Sequence, residues 1–348
     1  MSFRLLISGS KRNTNTLGSF IIQNFEPSLT YEVLDFPDRF AELMELKFYR
    51  LIYRLFPILI VRSMDRLFLA QAARFNPTVV LIFKGMEISK WSLQRLSAKG
   101  IKLVNYNLDH PFEFFSRGSG NRFVREAIPN YDLHIAYSLQ IQKQLENIYK
   151  IKTAWIPFGF QVTEQLYDKI WAEPEAEINR ICFIGNPDKI RTRTIQLLLS
   201  NGLAVDVYGY NWKKYLSPHI NLKVFDQVQG EDYWRTIVKY RAQLNIFRPH
   251  NVNSHNMRTF EVPAAGGILL TPDNQEQRSF FKSEEEVFFY TSDASLIAQC
   301  KKLCRMEAIE VNRIRYSARE TSIKADYSYA RRTKDLLAVL EKLILVKS

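Results

Sequence analysis

Cysteine is scarce in this sequence, and long apolar runs are absent from it. Only three of the 348 residues are cysteines, Cys182, Cys300 and Cys304. This small number excludes a disulfide-bonded scaffold and fits a reducing compartment. The longest apolar run, residues 55–61, spans seven residues, whereas a bilayer-spanning helix needs about eighteen or more. The first apolar stretch, residues 3–8, is too short for a signal peptide, so we expect a cytoplasmic protein.

Motifs for metals and for phosphate groups are missing as well. The five histidines show no metal-site spacing; His250 and His255 flank the loop-like segment Asn-Val-Asn-Ser. No Gly-x-Gly-x-x-Gly follows an opening strand, which disfavours NAD, and there is no Walker loop and no Asp-x-Asp. We therefore expect no metal and no cofactor. Arginines, lysines and helix N-termini would have to hold any phosphate group.

The charge balance is strongly positive. The chain has 48 Lys and Arg against 36 Asp and Glu, a net charge of +12, and residues 1–160 contribute 21 basic and 13 acidic side chains. Such a balance is typical of proteins that bind nucleic acid, an anionic lipid surface or phosphorylated small molecules. Composition alone does not choose among these partners.

Strand-like and helix-like segments alternate along the whole chain. Apolar strands are predicted at residues 3–8, 79–83, 102–106, 133–136, 153–156, 181–184, 205–208, 222–225, 244–247, 268–270 and 287–290. Predicted helices separate them, at 40–75, 89–99, 139–149, 191–201, 231–240, 256–265, 275–281 and 294–303. This pattern predicts an α/β protein with parallel sheets covered on both faces.

Two of these strands, at residues 5–8 and 181–184, run into a turn with glycine, which suggests two Rossmann-like domains. We place them at residues 1–160 and 161–348, with the last helix, 326–346, as a candidate to pack back on the first domain. A ligand is expected at the carboxyl ends of the strands, in a cleft between the domains.

Residues 251–267 contain the most informative group of polar side chains. Asn253 or Ser254 is predicted to cap a helix whose first-turn N–H groups then form an anion site. Arg258 could grip a diphosphate in bidentate fashion, and Glu261, on the same face, could accept both ribose hydroxyls. Gly266 and Gly267 would allow close backbone approach. The alternative is an ordinary capped helix in which Arg258 and Glu261 form an ion pair.

Several segments resemble group-1 glycosyltransferases, specifically the CgeB-like branch. The resemblance runs in order over roughly residues 77–290 and is carried by the segments at 81–85, 105–111, 183–186 with Arg191 and Arg193, 205–212 and above all Arg258-Thr-Phe-Glu-Val-Pro-Ala-Ala-Gly-Gly-Ile-Leu-Leu-Thr271. It implies a GT-B fold, with a nucleotide sugar on the C-terminal domain and the acceptor, a glycan or a lipid-linked glycan, on the N-terminal one.

The resemblance also implies roles for individual residues. Glu261 matches the ribose-binding glutamate, and Arg258, Arg191 and Lys189 are candidates for the diphosphate. Tyr208 and Gly209, with the loop 228–230, would border the base. The remaining candidates for donor contacts are Gly185, Asn253, Ser254 and Asn256. Asn253 stands where many group-1 enzymes have a second glutamate, which puts a direct copy of their donor-sugar contacts in doubt.

The resemblance implies transfer of a sugar from a nucleotide sugar, with the diphosphate as the leaving group. Basic side chains, rather than a metal ion, would stabilise the negative charge on that diphosphate. Arg258 would act there. Asp109 and His110, which follow a strand of the first domain, could take a proton or hydrogen-bond the donor sugar. The alternative is a turn ended by Pro111, with Asp109 capping the next segment. The family is mostly retaining, and this stereochemistry is favoured.

Residues 47–66 form a basic stretch. Between Lys47 and Arg62 there are four basic side chains and no acidic one, with aromatic and aliphatic residues between them, and Pro57 should kink the helix. This composition suits a helix at an anionic membrane surface, which would make the protein peripheral at the inner membrane face. A core-packed helix whose long arginine stems cover apolar surface remains the alternative.

Two other functions stay open. A basic protein that binds sugar nucleotides or nucleic acid without turnover would fit the charge, although no RNA-recognition motif is present and the basic residues are spread along the chain, so nucleic acid is not expected. A GT-B sugar-nucleotide epimerase would share the fold, and fold does not fix function.

Overall fold

A computed structural model of the chain describes residues 3–12, 16–114, 118–251 and 253–345. The chain forms two compact units. One comprises Met1–Pro157 together with Tyr329–Ser348, and the other comprises Phe158–Ser328. Each unit has its own six-stranded parallel sheet.

The sheet of the first unit consists of strands in the order β2-β1-β3-β4-β5-β6. The strands are β1 (Arg4–Ser8), β2 (Thr30–Leu34), β3 (Val79–Phe83), β4 (Lys102–Asn107), β5 (Leu133–Ala136) and β6 (Thr153–Trp155). Strand β3 is buried at all five positions, as expected for a strand covered on both faces. Strand β2 was not predicted, because it lies at the sheet edge and its first four residues are exposed or half-buried.

Seven helices follow these strands in the first unit: α1 (Leu17–Gln23), α2 (Phe36–Glu45), α3 (Lys47–Leu55), α4 (Pro57–Phe75), α5 (Lys90–Ser97), α6 (Arg122–Ala127) and α7 (Leu139–Tyr149). The helical stretch predicted at residues 40–75 is divided into three helices, and the interruption predicted at Pro57 is confirmed. The chain leaves the helical conformation at Leu46 and again at Phe56. Phe56 precedes Pro57, and a residue that precedes proline is disfavoured in the α region.

The second unit has strands in the order β12-β11-β10-β7-β8-β9. They are β7 (Ile178–Ile184), β8 (Val205–Tyr208), β9 (Leu222–Phe225), β10 (Tyr240–Leu244), β11 (Leu269–Pro272) and β12 (Phe288–Tyr290). The flanking helices are α8 (Glu164–Ala172), α9 (Lys189–Ser200), α10 (Gly230–Lys239), α11 (Arg258–Ala264), α12 (Gln275–Arg278), α13 (Asp293–Arg305) and α14 (Ala308–Lys324).

Strand β10 corrects a prediction that placed it at residues 244–247. It begins directly after α10, and two of its five residues, Arg241 and Gln243, are polar yet buried. Gln243 donates to the carbonyl oxygens of Thr236 and Ile237, each at 3.0 Å. Buried polar groups require such partners, and partners of this kind cannot be read from an apolar pattern.

The buried side chain of Arg241 belongs to an ionic triad with Glu177 and Arg315. Arg241 Nη2 lies 2.7 Å from Glu177 Oε2, and Arg315 Nη2 lies 2.8 Å from Glu177 Oε1. Both guanidinium groups also donate to backbone carbonyls, among them Leu303 O at 2.8 Å and Tyr240 O at 2.9 Å. The triad thus joins β10 to α13 and α14, and α14 was not predicted because it turns arginines inward.

The last helix, α15 (Tyr329–Leu345), belongs to the first unit. Leu336, Leu337 and Leu340 are buried. Thr333 Oγ1 donates to Ile21 O in α1 at 3.2 Å, and the rings of Phe20 and Tyr329 stack with centroids 4.9 Å apart. The end predicted at residue 346 lies outside the described residues.

Candidate donor site

The order of the strands marks one place in the second unit for a ligand. From β7 the chain proceeds to β8 and β9 on one side, and it then returns to place β10, β11 and β12 on the other side. The carboxyl ends of β7 and β10 therefore flank a topological switch point, where open α/β sheets bind their ligands. The residues that follow β7 and β10 are therefore the candidates for ligand binding.

Arg191 follows β7 and lies in the first turn of α9. Asp188 caps this helix by accepting from the N–H groups of Ile190 and Arg191 at 3.0 and 2.9 Å. The guanidinium group of Arg191 donates to Asn186 O at 2.9 Å and lies 3.3 Å from the Asp188 carboxylate. It also covers the ring of Phe183 at 5.4 Å. Arg191 is therefore held in place before any ligand binds.

Arg248 and Arg258 lie near Arg191. Arg248 follows β10 and is exposed, and Arg258 is the first residue of α11 and is half-buried. Burial lowers the pKa of Arg191 to about 10; Asp188 opposes this effect, while the positive charges of Arg248 and Arg258 add to it. Within the described part of the chain, the side chains of Arg248 and Arg258 form no hydrogen bond or ion pair. These three guanidinium groups act on one another, and their neighbouring carboxylates are Asp188 and Glu261, so they form a candidate anion site.

Glu261 lies one turn after Arg258 on α11, and its side chain is 7% exposed. Its Oε2 accepts a hydrogen bond from the hydroxyl of Tyr233 in α10 at 2.6 Å. Burial raises the pKa of Glu261, against the opposing effects of Arg258 and of the Tyr233 hydrogen bond. The Arg258 guanidinium lies over the Tyr233 ring at 5.7 Å. Arg258 and Glu261 do not form the ion pair that the alternative interpretation requires. Each of them contacts Tyr233 instead, Arg258 at the ring and Glu261 at the hydroxyl.

The predicted cap of α11 is wrong. The N-cap residue is Met257, which has helical backbone angles and no side-chain cap. Asn253 is exposed. Ser254 Oγ instead donates to Glu276 Oε1 at 2.8 Å, and Asn256 exchanges amide hydrogen bonds with Asn245 at 2.8 and 3.1 Å. These bonds tie the segment before α11 to α12 and to the residue that follows β10. The first-turn N–H groups of Thr259 and Phe260 donate to Asn256 O and Met257 O at 3.1 and 3.0 Å, so they do not form the predicted anion site.

His255 holds the same segment from inside. Its Nε2 accepts from the N–H of Phe158 at 3.1 Å, so Nδ1 carries the proton that bonds Glu276 Oε1 at 2.5 Å. The rings of Phe158, Phe260 and Phe280 pack edge-on against the imidazole. This arrangement makes His255 a structural residue. It fixes the backbone just before α11, the helix that begins at Arg258.

Gly185 and Gly209 let the ends of β7 and β8 approach closely. A Cβ atom on Gly209 would lie 2.4 Å from Gly185 O. The buried Trp212 donates from its indole nitrogen to that same oxygen at 2.8 Å. Tyr208, at the end of β8, stacks on Phe225 with ring centroids 4.6 Å apart. These residues form a wall after β7 and β8, where the base is expected.

Gly266 and Gly267 have a structural explanation. They follow the carboxyl end of α11, away from Arg258. Gly266 has φ +80°, and a Cβ atom there would lie 2.9 Å from the Trp171 ring, while one on Gly267 would lie 2.7 Å from Ile237. The expected approach of a ligand to this backbone is therefore not needed to account for the two glycines.

Asp109 and His110 follow β4 in the first unit. Asp109 Oδ2 lies 2.6 Å from Lys84 Nζ, so the carboxylate is already paired with a cation. His110 is buried; burial lowers its pKa, and Glu113 and Gln144 oppose this effect. Its Nδ1 accepts from the N–H of Glu113 at 3.1 Å. Their roles in proton transfer stay predictions.

Glu87, which the sequence analysis missed, is a buried carboxyl group near the carboxyl end of β3. Burial raises its pKa to about 7, and the hydrogen bond from Ser8 Oγ, at 2.9 Å, opposes this rise. The folded state therefore binds the proton more tightly than the unfolded chain does. Its contribution to stability is complete below the unfolded pKa near 4.5 and is lost as the pH rises through about 7.

The variant Glu87→Gln removes this titration and keeps an acceptor for Ser8. We expect it to be about 3 kcal/mol more stable than the wild type at pH 8.5 and less than about 1 kcal/mol more stable at pH 5, because each pKa unit corresponds to about 1.4 kcal/mol. Urea unfolding at the two pH values measures the difference. Equal differences at both values would contradict a protonated Glu87.

The two-unit architecture is shared with solved structures over almost their whole length. A glycosyltransferase from Rickettsia africae ESF-5 is 10% identical, covers 99% of this chain and 99% of its own, and has a TM-score of 0.62. HepE from Anabaena, solved with UDP-glucose, is 11% identical over 98% of this chain and 100% of its own, with a TM-score of 0.65. The chain has the GT-B fold.

A third similar structure is a UDP-GlcNAc 2-epimerase from Neisseria meningitidis bound to UDP-GlcNAc. It is 12% identical over 97% of this chain and 99% of its own, with a TM-score of 0.56. Residues 191–338 match a family model described as glycosyl transferase-like. No curated protein sequence matches the chain significantly.

These findings confirm the fold class predicted from the sequence and a glycosyltransferase-like region that includes Arg191, Arg258 and Glu261. In the described ranges of the GT-B chain, no helix is long and apolar enough to cross a membrane. No cluster of metal-ligating side chains was found among those same residues.

Two residues of this candidate donor site, Arg248 and Tyr233, were not predicted from the sequence. Arg248 had a usable signal, since it is a basic residue soon after a buried strand. Tyr233 had none, because it reads as one more residue of an amphipathic helix. Lys189, which was predicted, is the exposed first residue of α9.

Proposed function

We propose that this protein is a glycosyltransferase of the CgeB-like branch. It transfers a sugar, of the hexosyl or a related type, from a nucleoside-diphosphate sugar to a glycan or a lipid-linked glycan in polysaccharide biosynthesis. One observation carries the proposal. Arg191, Arg248 and Arg258 lie close enough at the switch point of the second sheet for their positive charges to act on Arg191. The buried carboxylate of Glu261 lies one helical turn after Arg258.

The diphosphate of the donor is assigned to the three arginines. A guanidinium group presents a planar fork that fits phosphate oxygens in bidentate fashion. The like charges of the three arginines repel one another, and a bound diphosphate relieves this repulsion. Lys189, exposed at the start of α9, is a further candidate for the same group.

The ribose is assigned to Glu261. Tyr233 donates to one oxygen of this carboxylate and so fixes its orientation, while the other oxygen and the remaining lone pairs can accept from ribose hydroxyls. Tyr208 and Gly209 border the base. HepE and the epimerase were solved with UDP-sugars, which supports a ligand of this class.

In the transfer step the bond between the anomeric carbon and the diphosphate oxygen breaks, and negative charge develops on the leaving diphosphate. The oxygen of an acceptor hydroxyl bonds to the anomeric carbon, and its proton passes to the leaving diphosphate or to solvent. Arg258 and its two neighbours are positioned to stabilise that charge without reorganisation. We propose a metal-independent reaction with retention of configuration. If transfer instead inverts the configuration, Asp109 and His110 are the candidates for the base that takes the proton of the acceptor hydroxyl.

Thermal unfolding with and without UDP, GDP or dTDP tests the donor site. One of the three should raise the midpoint by several degrees, because a ligand at a hundred times its Kd stabilises the folded state by about 2.7 kcal/mol. The rise should persist in EDTA and disappear in Glu261→Ala. Glu175→Ala, in an exposed ion pair with Lys239, is the control. No rise with any of the nucleotides would contradict the proposal.

Product analysis then separates transfer from the alternatives. A transferase releases nucleoside diphosphate in proportion to glycosylated acceptor, whereas an epimerase changes the sugar while it stays on the nucleotide. A protein that only binds leaves the donor unchanged. Salt-sensitive binding of an RNA oligonucleotide without any nucleotide response would favour a nucleic-acid-binding protein.

A further inference from the structure

Helix α3 and the first turn of α4 carry large apolar side chains on the surface of the first unit. None of the side chains of α3 is buried. Phe48 is 68% exposed, Leu55 61% and Leu59 58%. We call residues 46–66 the basic apolar strip; its exposed apolar members are Leu46, Phe48, Tyr49, Leu51, Leu55, Phe56, Ile58 and Leu59.

The side chains of α3 are sorted by chemistry around the helix. Ile52 and Tyr53 pack against the apolar core of the first unit. Phe48, Leu51 and Leu55, at intervals of three and four, share an exposed face. Lys47, Arg50 and Arg54 lie on the sector next to that face, by the 100° rotation per residue of an α-helix. The apolar stripe therefore has a basic border on the surface.

The basic side chains of the strip lack acidic partners. In the part of the chain that the structure describes, Lys47, Arg50, Arg54, Arg62 and Arg66 form no ion pair. The one acidic residue among them, Asp65, is buried and accepts from the backbone and the hydroxyl of Ser89 at 3.0 and 2.6 Å. Arg50 and Arg54, like Arg62 and Arg66, are i,i+4 pairs of like charge, which destabilise a helix unless an anion lies nearby.

We propose that the basic apolar strip binds the surface of an anionic lipid bilayer. The apolar side chains enter the boundary between headgroups and acyl chains, and the arginines bind lipid phosphates. The helices lie on the membrane and do not span it. This proposal concerns the first unit alone and does not depend on the donor site.

The charges favour a membrane over a second copy of the chain. The centres of protein interfaces are depleted in charged residues, and a two-fold contact through this strip would bring two sets of unpaired arginines together. An anionic bilayer offers many phosphates to the arginines and an apolar layer to Phe48, Leu51 and Leu55.

Co-sedimentation of the full chain with lipid vesicles tests the proposal. We expect most of the protein to sediment with vesicles of 70% phosphatidylcholine and 30% phosphatidylglycerol and little with phosphatidylcholine alone. Binding should fall as the salt concentration rises, because surface charges are screened. Equal binding to both kinds of vesicle, or no binding to either, would overturn the proposal.

Two variants separate the contributions of charge and apolar surface. Arg50→Gln with Arg54→Gln should weaken partitioning about 30-fold, since each basic side chain near such a surface contributes about 1 kcal/mol, which is about fivefold in affinity. Phe48→Ser with Leu51→Ser and Leu55→Ser should abolish it. These variants should still fold, because α3 contributes no buried side chain, and an unchanged thermal midpoint confirms it.

The matched control lies in the second unit. Ile309 and Tyr316 on α14 are 82% and 68% exposed, and Ile309→Ser with Tyr316→Ser should leave vesicle binding unchanged. Light scattering measures the oligomeric state and so tests the competing possibility, that the strip binds a second copy of the chain. A dimer that Leu51→Ser dissociates, together with no vesicle binding, would assign the strip to a second copy of the chain.

Discussion

Replacing Arg258 by alanine is expected to lower kcat for sugar transfer by about 10²- to 10³-fold. This is the range observed when one preorganised donor to a developing negative charge is removed. The effect should be large because Arg258 forms no hydrogen bond or ion pair within the described ranges, so its charge is available to the leaving diphosphate. Release of nucleoside diphosphate from the donor sugar found by screening is the measurement.

Arg193→Ala is the matched control for this loss. Arg193 lies on α9, as Arg191 does, but its guanidinium pairs with Asp293 at 2.5 Å on the exposed surface. Its removal should change kcat less than about threefold, since exposed pairs contribute little. Arg258→Lys should recover only part of the rate, because a lysine retains the charge but not the bidentate fork. Equal rates in Arg258→Ala and the wild type would contradict the assignment of the leaving-group site.

Replacing Glu177 by alanine is expected to destabilise the second unit by about 3–5 kcal/mol. The substitution leaves Arg241 and Arg315, each 7% exposed in its side chain, buried without a counter-charge. Removal of one partner from a buried ionic group costs about this much. Burial already lowers the pKa of Arg315, and Glu177 opposes that effect. Urea unfolding of the full chain measures the loss in the transition of the second unit.

Glu175→Ala, two residues away, separates burial from charge. Glu175 pairs with Lys239, and both side chains are at least one-third exposed. We expect a loss below about 1 kcal/mol. If the two variants were equally destabilised, the triad would be no more than a surface contact, and the explanation of β10 and α14 as elements tied by buried ions would be wrong.

The main strands could be predicted because each buried strand of a parallel sheet is a short, continuous apolar run. Strand β2 failed this criterion, since an edge strand needs only one side to be apolar. The arginines of α14 face inward against carbonyl oxygens and Glu177, so an apolar pattern could not reveal that helix. Buried polar residues with distant partners are the common cause of both omissions in the second unit, α14 and the start of β10.

Arg258 and Glu261 could be found because both lie on one short helical segment, where sequence spacing determines geometry. Arg248 and Tyr233 reach the same place from β10 and α10, and only the fold shows this. The cap of α11 was mispredicted for a similar reason. Ser254 has a competing partner in Glu276, 22 residues further along the chain, which local sequence could not indicate.

The two ends of the second unit meet. The N–H of Phe160 donates to Tyr327 O at 3.1 Å, and Phe160 pairs with Ser328 in an isolated β-bridge. The second unit is thus an insertion into the first, entered after Pro157 and left before Tyr329. Chain ends that lie close together allow one domain to be inserted into another without disrupting either core. Residues 158–328 therefore form one inserted domain, and this domain contains all three arginines and Glu261.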